Sequence, residues 1–205
     1  MESTVTLPEA KGRKQVPAYL VKEEFDGVPL YYKGYKDVLS GKKTLEEIMG
    51  CSGIQSLIVT YLTILLGNKL NKKRYRVLTG EVGNLIDRKK SSLDVAIFDK
   101  AIQTPGHLNR RYTNVPPKMV LEVDVRVENE SMSNDDIIHF RTDKLLEMGV
   151  EKIIWIFTLY GKIMVAEKGK DWLTFDWNRD VEILDGISFN IPRYLDEEGI
   201  TLDEI

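Results

Sequence analysis

The sequence predicts a mixed α/β fold, a β-sheet flanked by helices. Two kinds of stretch predict it. Apolar residues keep helical spacing from Ile54 to Leu66 and again after Ser133, and between and beyond them lie short runs of β-type residues separated by Gly- and Pro-bearing turns. The order helix, strands, helix, strands is that of a mixed sheet. A chain of 205 residues, 42% hydrophobic and 30% charged, has room for one domain with a real core.

Residues 1–30 mix Pro8, Pro17, Gly27 and Pro29 with charges and show no periodicity, so they read as an N-terminal extended arm, with residues 31–205 as a single domain. Thr44 followed by Glu46 and Glu47 reads as a short capped helical turn ended by Gly50. Ile54, Leu57, Ile58, Tyr61, Leu62, Leu65 and Leu66 mark one face of a helix, which Gly67-Asn68 can stop. Strands are expected over 75–79, 93–98 and 119–125, with a turn at 80–83 and the Pro116-Pro117 breaker between the second and third. Ser133-Asn134-Asp135 opens the second helix, which runs to Met148 and is capped by Gly149. Strands over 152–158, 162–167, 172–177 and 181–183 complete the order, with turns at Tyr160-Gly161 and Lys168-Gly169-Lys170.

Composition narrows the function. The longest apolar stretch, 56–66, is far short of the roughly 20 residues that span a bilayer, and the N-terminus has no apolar signal-type run, so no membrane or secretory segment is expected and the reading is cytoplasmic. A single cysteine, Cys51, cannot form an internal disulfide, and His107 and His139 are too far apart for a helical zinc pair, which leaves carboxylates as the plentiful metal ligands. The net charge of −3 hides an asymmetry: residues 1–120 carry +8 and residues 121–205 carry −11. Within the basic part, Lys72, Lys73 and Arg74, and later Lys89 and Lys90, are spaced so that they could track a nucleic-acid backbone, or else mark a solvated helix end and loops.

Strand alternation places the chemistry. In 119–126 the side chains of Val120, Glu122, Asp124 and Arg126 share one face, and in 93–98 Asp94 shares a face with Ala96 and Phe98. If the two strands pair, Asp94, Glu122 and Asp124 converge. Clustered carboxylates in a low-dielectric setting take up protons or need a cation, which a hard divalent ion such as Mg²⁺ or Mn²⁺ supplies; on an exposed face they would pair with lysines instead. In the second helix, Arg141 and Lys144 fall in or beside the buried stripe of Ile137, Leu145 and Met148. A cation there needs an anion, and the acids of the preceding strand are its natural partners, as a structural ion pair or as a catalytic group. Carboxylate-held metal ions together with a nearby Lys or Arg are the parts that phosphodiester hydrolysis requires.

The segments "SSLDVAIFD", "PPKMVLEVDV" and "RTDKLLEMGVEKIIWIF", with "YYKGYKDVLSGKKTLEEIMG" and "DWLTFDWNRDVEILDG" around them, resemble the Uma-two family of the PD-(D/E)xK nuclease superfamily, from about Val16 onward. The resemblance implies a restriction-endonuclease-like mixed sheet flanked by helices and a Mg²⁺- or Mn²⁺-dependent endonuclease acting on DNA, with RNA a further candidate and a homodimer as a common arrangement. It further implies Asp94 and Glu122 as metal-binding catalytic residues, the Val123 carbonyl as a further ligand, and Asp124 assisting. The family's lysine, displaced to the following helix eight residues before a Gly, corresponds to Arg141, and Lys144 could substitute for it. Asp124 stands where the superfamily consensus has an in-strand Lys. The alternative is a catalytically degenerate nuclease fold that binds nucleic acid or protein.

Overall fold

The computed structural model describes residues 16–201. Its centre is a nine-stranded mixed sheet whose strands lie in the order Val127–Glu128, Val28–Tyr32, Val21–Phe25, Lys89–Asp99, Met119–Val123, Lys152–Phe157, Lys162–Glu167 and Leu173–Asp176, with Tyr75–Ile86 along the other edge of Lys89–Asp99. The first hairpin is β1 (Val21–Phe25) and β2 (Val28–Tyr32), turned by Asp26 (φ 52) and Gly27 (φ 84). Asp-Gly is a strong two-residue hairpin turn because both central residues must adopt positive φ. Residues 21–30 of the segment expected as an arm thus form most of this hairpin, and a boundary at residue 30 falls inside β2. Residues 1–15 of that arm lie outside the described residues.

Two short helices follow, α1 (Tyr35–Leu39) and α2 (Leu45–Met49), the latter with the expected start: Thr44 and Glu47 form a reciprocal capping box. The long helix α3 (Gly53–Lys69) is capped by the Ser52 side chain, which accepts from the Gln55 amide. It leads to a long hairpin of β3 (Tyr75–Ile86) and β4 (Lys89–Asp99). Here the expected turn at 80–83 is a β-bulge inside one continuous strand, because the chain keeps pairing with β4 on both sides of it.

β5 (Met119–Val123) pairs antiparallel with β4 and parallel with β7 (Lys152–Phe157). The crossover between β5 and β7 carries the two-residue β6 (Val127–Glu128) and helix α4 (Asn134–Glu147), the latter opened by a Ser133/Asp136 capping box. β8 (Lys162–Glu167) and β9 (Leu173–Asp176) extend the sheet as a meander. A small hairpin, β10 (Val181–Leu184) and β11 (Ile187–Phe189), and helix α5 (Ile191–Glu197) end the described chain.

Helices cover both faces. On one, Ile58, Leu62 and Leu66 of α3 pack with Val95, Ile97, Leu121, Val123, Ile154 and Ile156. On the other, Ile137 and Leu145 of α4 pack with Ala96, Phe98, Val120, Ile153 and Trp155. Alternate residues of β4, β5 and β7 thus feed two separate cores, as strands buried on both faces must. Among the described residues no helix is long and apolar enough to cross a membrane.

Candidate active site

The site arises where the sheet stops being a sheet. β1 and β5 both pair with the same edge of β4, β1 at Lys89 and Lys90, and β5 at Val95 to Ile97. Between them, Ser91 to Asp94 have no strand partner on that edge, and β1 and β5 diverge as a fork. Buried backbone N–H groups must still be satisfied, and carboxylates replace the missing ladder acceptors. The Ser92 N–H donates to Glu23 Oε1 at 2.9 Å, and the Val123 N–H donates to Asp94 Oδ2 at 2.8 Å.

Three ionisable side chains, Glu23, Glu122 and Arg141, fill the fork. Arg141 of α4 reaches Glu23 of β1 through Nε, 2.7 Å from Oε2, and through Nη2, 2.9 Å from Oε1; the same Nη2 donates to Glu122 Oε2 at 3.2 Å. Its guanidinium also lies 4.8 Å from the centre of the Trp155 ring. All three residues are at most 3% exposed. Burial works against the Arg141 charge, but the two carboxylates outweigh it and raise its pKa. One guanidinium cannot neutralise two carboxylates, and Glu122 carries the excess: burial above all, opposed by Arg141 and reinforced by the charges of Asp94 and Glu23, pushes its pKa up to about 8. Glu122 Oε1 is buried with no hydrogen-bond partner.

Asp94 sits at the mouth. Its Oδ2 also accepts from Gln55 Nε2 of α3 at 3.3 Å, and Gln55 Oε1 in turn accepts from Arg126 Nη1 at 3.1 Å. Burial raises the Asp94 pKa, against the Val123 N–H and the charges of Arg141 and Lys22. An open cleft of about 320 Å³ gives solvent access to Asp94 between Gln55 and Ser56 on one side and Thr79 and Glu81 on the other.

The structure brings Asp94, Glu122 and Arg141 together and leaves other candidates elsewhere. Strand β5 ends at Val123, and Asp124 turns into the left-handed region (φ 60), so the alternation expected to carry it to the face of Glu122 is broken. Its carboxylate instead accepts from the Thr158 N–H (2.8 Å) and hydroxyl (2.7 Å), closing the end of β7. Lys144 lies 3.2 Å from Asp26 and 2.9 Å from Glu147, on the side of α4 toward the β1–β2 turn. Lys72, Lys73 and Arg74 occupy the turn before β3, near Asp99 at one end of β4, while Lys89 and Lys90 begin its other end. Eleven strand residues separate these groups by roughly 30 Å, so they flank the site as two clusters.

Sequence reasoning missed Lys22, Glu23 and the bridging role of Gln55. The Asp26-Gly27 pair between two extended runs was the available signal for the first two. Among the described residues no group of three or more His, Cys, Asp or Glu side chains forms a metal cage. Asp94 and Glu122 lie near enough for the Asp94 charge to act on Glu122, and a Mg²⁺-type ion is commonly held by one or two carboxylates with water and substrate phosphate completing its shell. The unpartnered Glu122 Oε1 fits that pattern.

Comparisons bear on the fold. A protein from Anabaena variabilis described as a "putative nuclease belonging to DUF820" superimposes with a TM-score of 0.65 over 89% of this chain and 94% of that one, at 12% sequence identity. At that identity the likeness shows a shared fold, the mixed sheet flanked by helices. No family model and no curated protein matches the chain.

Proposed function

We infer that the fork is the site of a divalent-metal-dependent nuclease acting on DNA phosphodiesters. The observation that carries this reading is Glu122 Oε1, a buried carboxylate oxygen without a partner in a cluster whose acids outnumber its guanidinium. Such an atom calls for a proton or a cation. Asp94 and Glu122 would hold Mg²⁺ or Mn²⁺, with the Val123 carbonyl as a further ligand. When bound, such an ion activates water and neutralises charge on the phosphate. The fold shared with a protein bearing a nuclease designation agrees with this reading.

The chain's own residues then have distinct tasks. The Val123 N–H and Gln55 fix the Asp94 carboxylate. Arg141, saturated by Glu23 and Glu122, would act as a positioning residue: it fixes Oε2 of Glu122 and leaves Oε1 without a partner, available as a ligand. Remaining protonated, it cannot take a proton from water. The clusters of Lys72, Lys73 and Arg74 and of Lys89 and Lys90 would contact the duplex on either side, and a homodimer would place two sites on two strands.

Cleavage of supercoiled plasmid in Mn²⁺ tests the reading. Wild type should nick it, and Asp94→Asn and Glu122→Gln should each lower the rate by about 100-fold or more, at or beyond the top of the roughly 10–100-fold that loss of a mere outer-shell partner costs. Equal residual rates in all three proteins would reject the assignment. The second reading, a degenerate fold that binds nucleic acid, is favoured by one observation, the closure of Arg141 into an ion pair. It predicts duplex binding with no metal uptake.

A further inference from the structure

Among the described residues, three cations around the fork are already held. Arg141 is held by two carboxylates, Lys144 by Asp26 and Glu147, and Arg126 by Gln55 and the Gly50 carbonyl. The geometry points to Lys22 as the side chain that binds the phosphodiester at the Asp94 site, with Glu81 as its displaceable counterion. This rests on the nuclease reading of that site.

Two β-bulges meet here. In β1, Val21 pairs with Tyr31 and Glu23 with Leu30, so Lys22 is an extra residue, and both Lys22 and Glu23 are buried where regular alternation would bury one. In β3, Thr79 pairs with Val95 and Val82 with Leu93, so Gly80 and Glu81 together oppose Asp94. Bulges re-aim side chains and are common beside active sites. Glu81 is held in the left-handed region (φ 56), a conformation that costs a non-Gly residue energy and persists where the surroundings impose it.

The ion pair that joins the bulges is asymmetric. Lys22 Nζ lies 2.8 Å from Glu81 Oε1; the lysine side chain is 7% exposed and the glutamate 50% exposed. Glu81 lines the cleft that opens on Asp94, and the Lys22 charge is one of those acting on the Asp94 carboxylate. A buried ammonium with a single carboxylate acceptor has donors to spare, since Lys carries three. A phosphate oxygen entering the cleft offers the same charge as Glu81, which can swing into solvent. Lys22 then stabilises the negative charge that builds on the phosphoryl oxygens, with no proton transfer required of it.

The experiment uses the full chain and three variants, Lys22→Met, Lys22→Arg and Glu81→Gln, with three readouts: the Mn²⁺ isotherm, anisotropy of a fluorescent DNA duplex in Ca²⁺ and in EDTA, and single-turnover cleavage in Mn²⁺. Lys22→Met should weaken duplex binding about tenfold, the scale of one charged hydrogen bond, and slow cleavage further, while its Mn²⁺ isotherm matches wild type. Lys22→Arg should restore most of the binding. Glu81→Gln should tighten binding severalfold, because the competing carboxylate charge is gone. A merely structural ion pair predicts instead that Lys22→Met and Glu81→Gln shift binding in the same direction, and that result, or wild-type duplex affinity in folded Lys22→Met, overturns the proposal. No Mn²⁺ uptake by wild type would remove the nuclease reading, while the duplex affinities would still decide whether Lys22 is an anion site.

Discussion

Strand β5 has two edges that solve the same problem differently. Toward β7 it makes an unbroken parallel ladder, Met119 with Lys152 through Val123 with Ile156, between two apolar cores. Toward β4 it pairs over only three residues before the fork opens and carboxylates take over the backbone donors. The closed edge gives stability that is insensitive to pH and ions. The open edge keeps charge in the interior, where a protein can bind a cation or a phosphate, and its stability depends on how that charge is balanced.

The largest effect should come from removing the balancing cation. Arg141→Met leaves Glu23 and Glu122 buried without a counter-charge and should cost about 3–5 kcal/mol in urea unfolding at pH 8, with part of the loss recovered at pH 5 as Glu122 takes up a proton. Ile154→Ala, on the closed edge, is fully buried and should cost about 2–5 kcal/mol, equally at both pH values. If the two variants show the same pH dependence, the contrast between the edges is wrong.

Glu122 sharpens the comparison through linkage. Its folded pKa, about 8, lies above the ordinary 4.5, so between those values the folded protein holds a proton that the unfolded chain has released. Stability from this group is therefore full below about pH 4.5 and is lost as pH rises toward 8, with a slope of at most ~1.4 kcal/mol per pH unit. Glu122→Gln should flatten that slope and be more stable than wild type at pH 8, as read from urea midpoints across the range. An unchanged slope would mean that Glu122 is ionised throughout.

Smaller effects mark the limits of the site. Asp124→Ala removes two hydrogen bonds to Thr158 and should cost about 1–3 kcal/mol while the Mn²⁺ isotherm stays at wild type; loss of metal uptake would return Asp124 to the site. Lys144→Ala breaks pairs at the rim and should change stability by less than about 1 kcal/mol, with cleavage unaffected.

Much of the fold was legible because its signals are local. The capping boxes at Thr44 and Ser133, the apolar spacing of α3 and the β-type runs of β5, β7 and β8 each depend on a few neighbouring residues. Asp94, Glu122 and Arg141 were legible as candidates, the first two from strand alternation and Arg141 from its place on an apolar helix face. What was not legible depends on long-range pairing. Lys22 and Glu23 fell within the expected extended arm: Asp26-Gly27 can mark a hairpin, but no local signal shows that β1 pairs with β4. Asp124 was expected beside Glu122 because alternation assumes an uninterrupted strand, and the positive φ that ends β5 has no sequence mark there. The Gly80-Glu81 bulge read as a turn for the same reason: only the partner strand shows that pairing resumes after it.

The central claim is that Asp94 and the free oxygen of Glu122 hold a divalent ion at the fork. Titration of Mn²⁺ into wild type and Asp94→Asn by calorimetry at low salt tests it most directly, since the asparagine keeps an acceptor for the Val123 N–H and removes the charge. One saturable site in wild type that is absent in folded Asp94→Asn is the predicted result. Identical isotherms from the two proteins, whether both bind or neither does, would contradict the account.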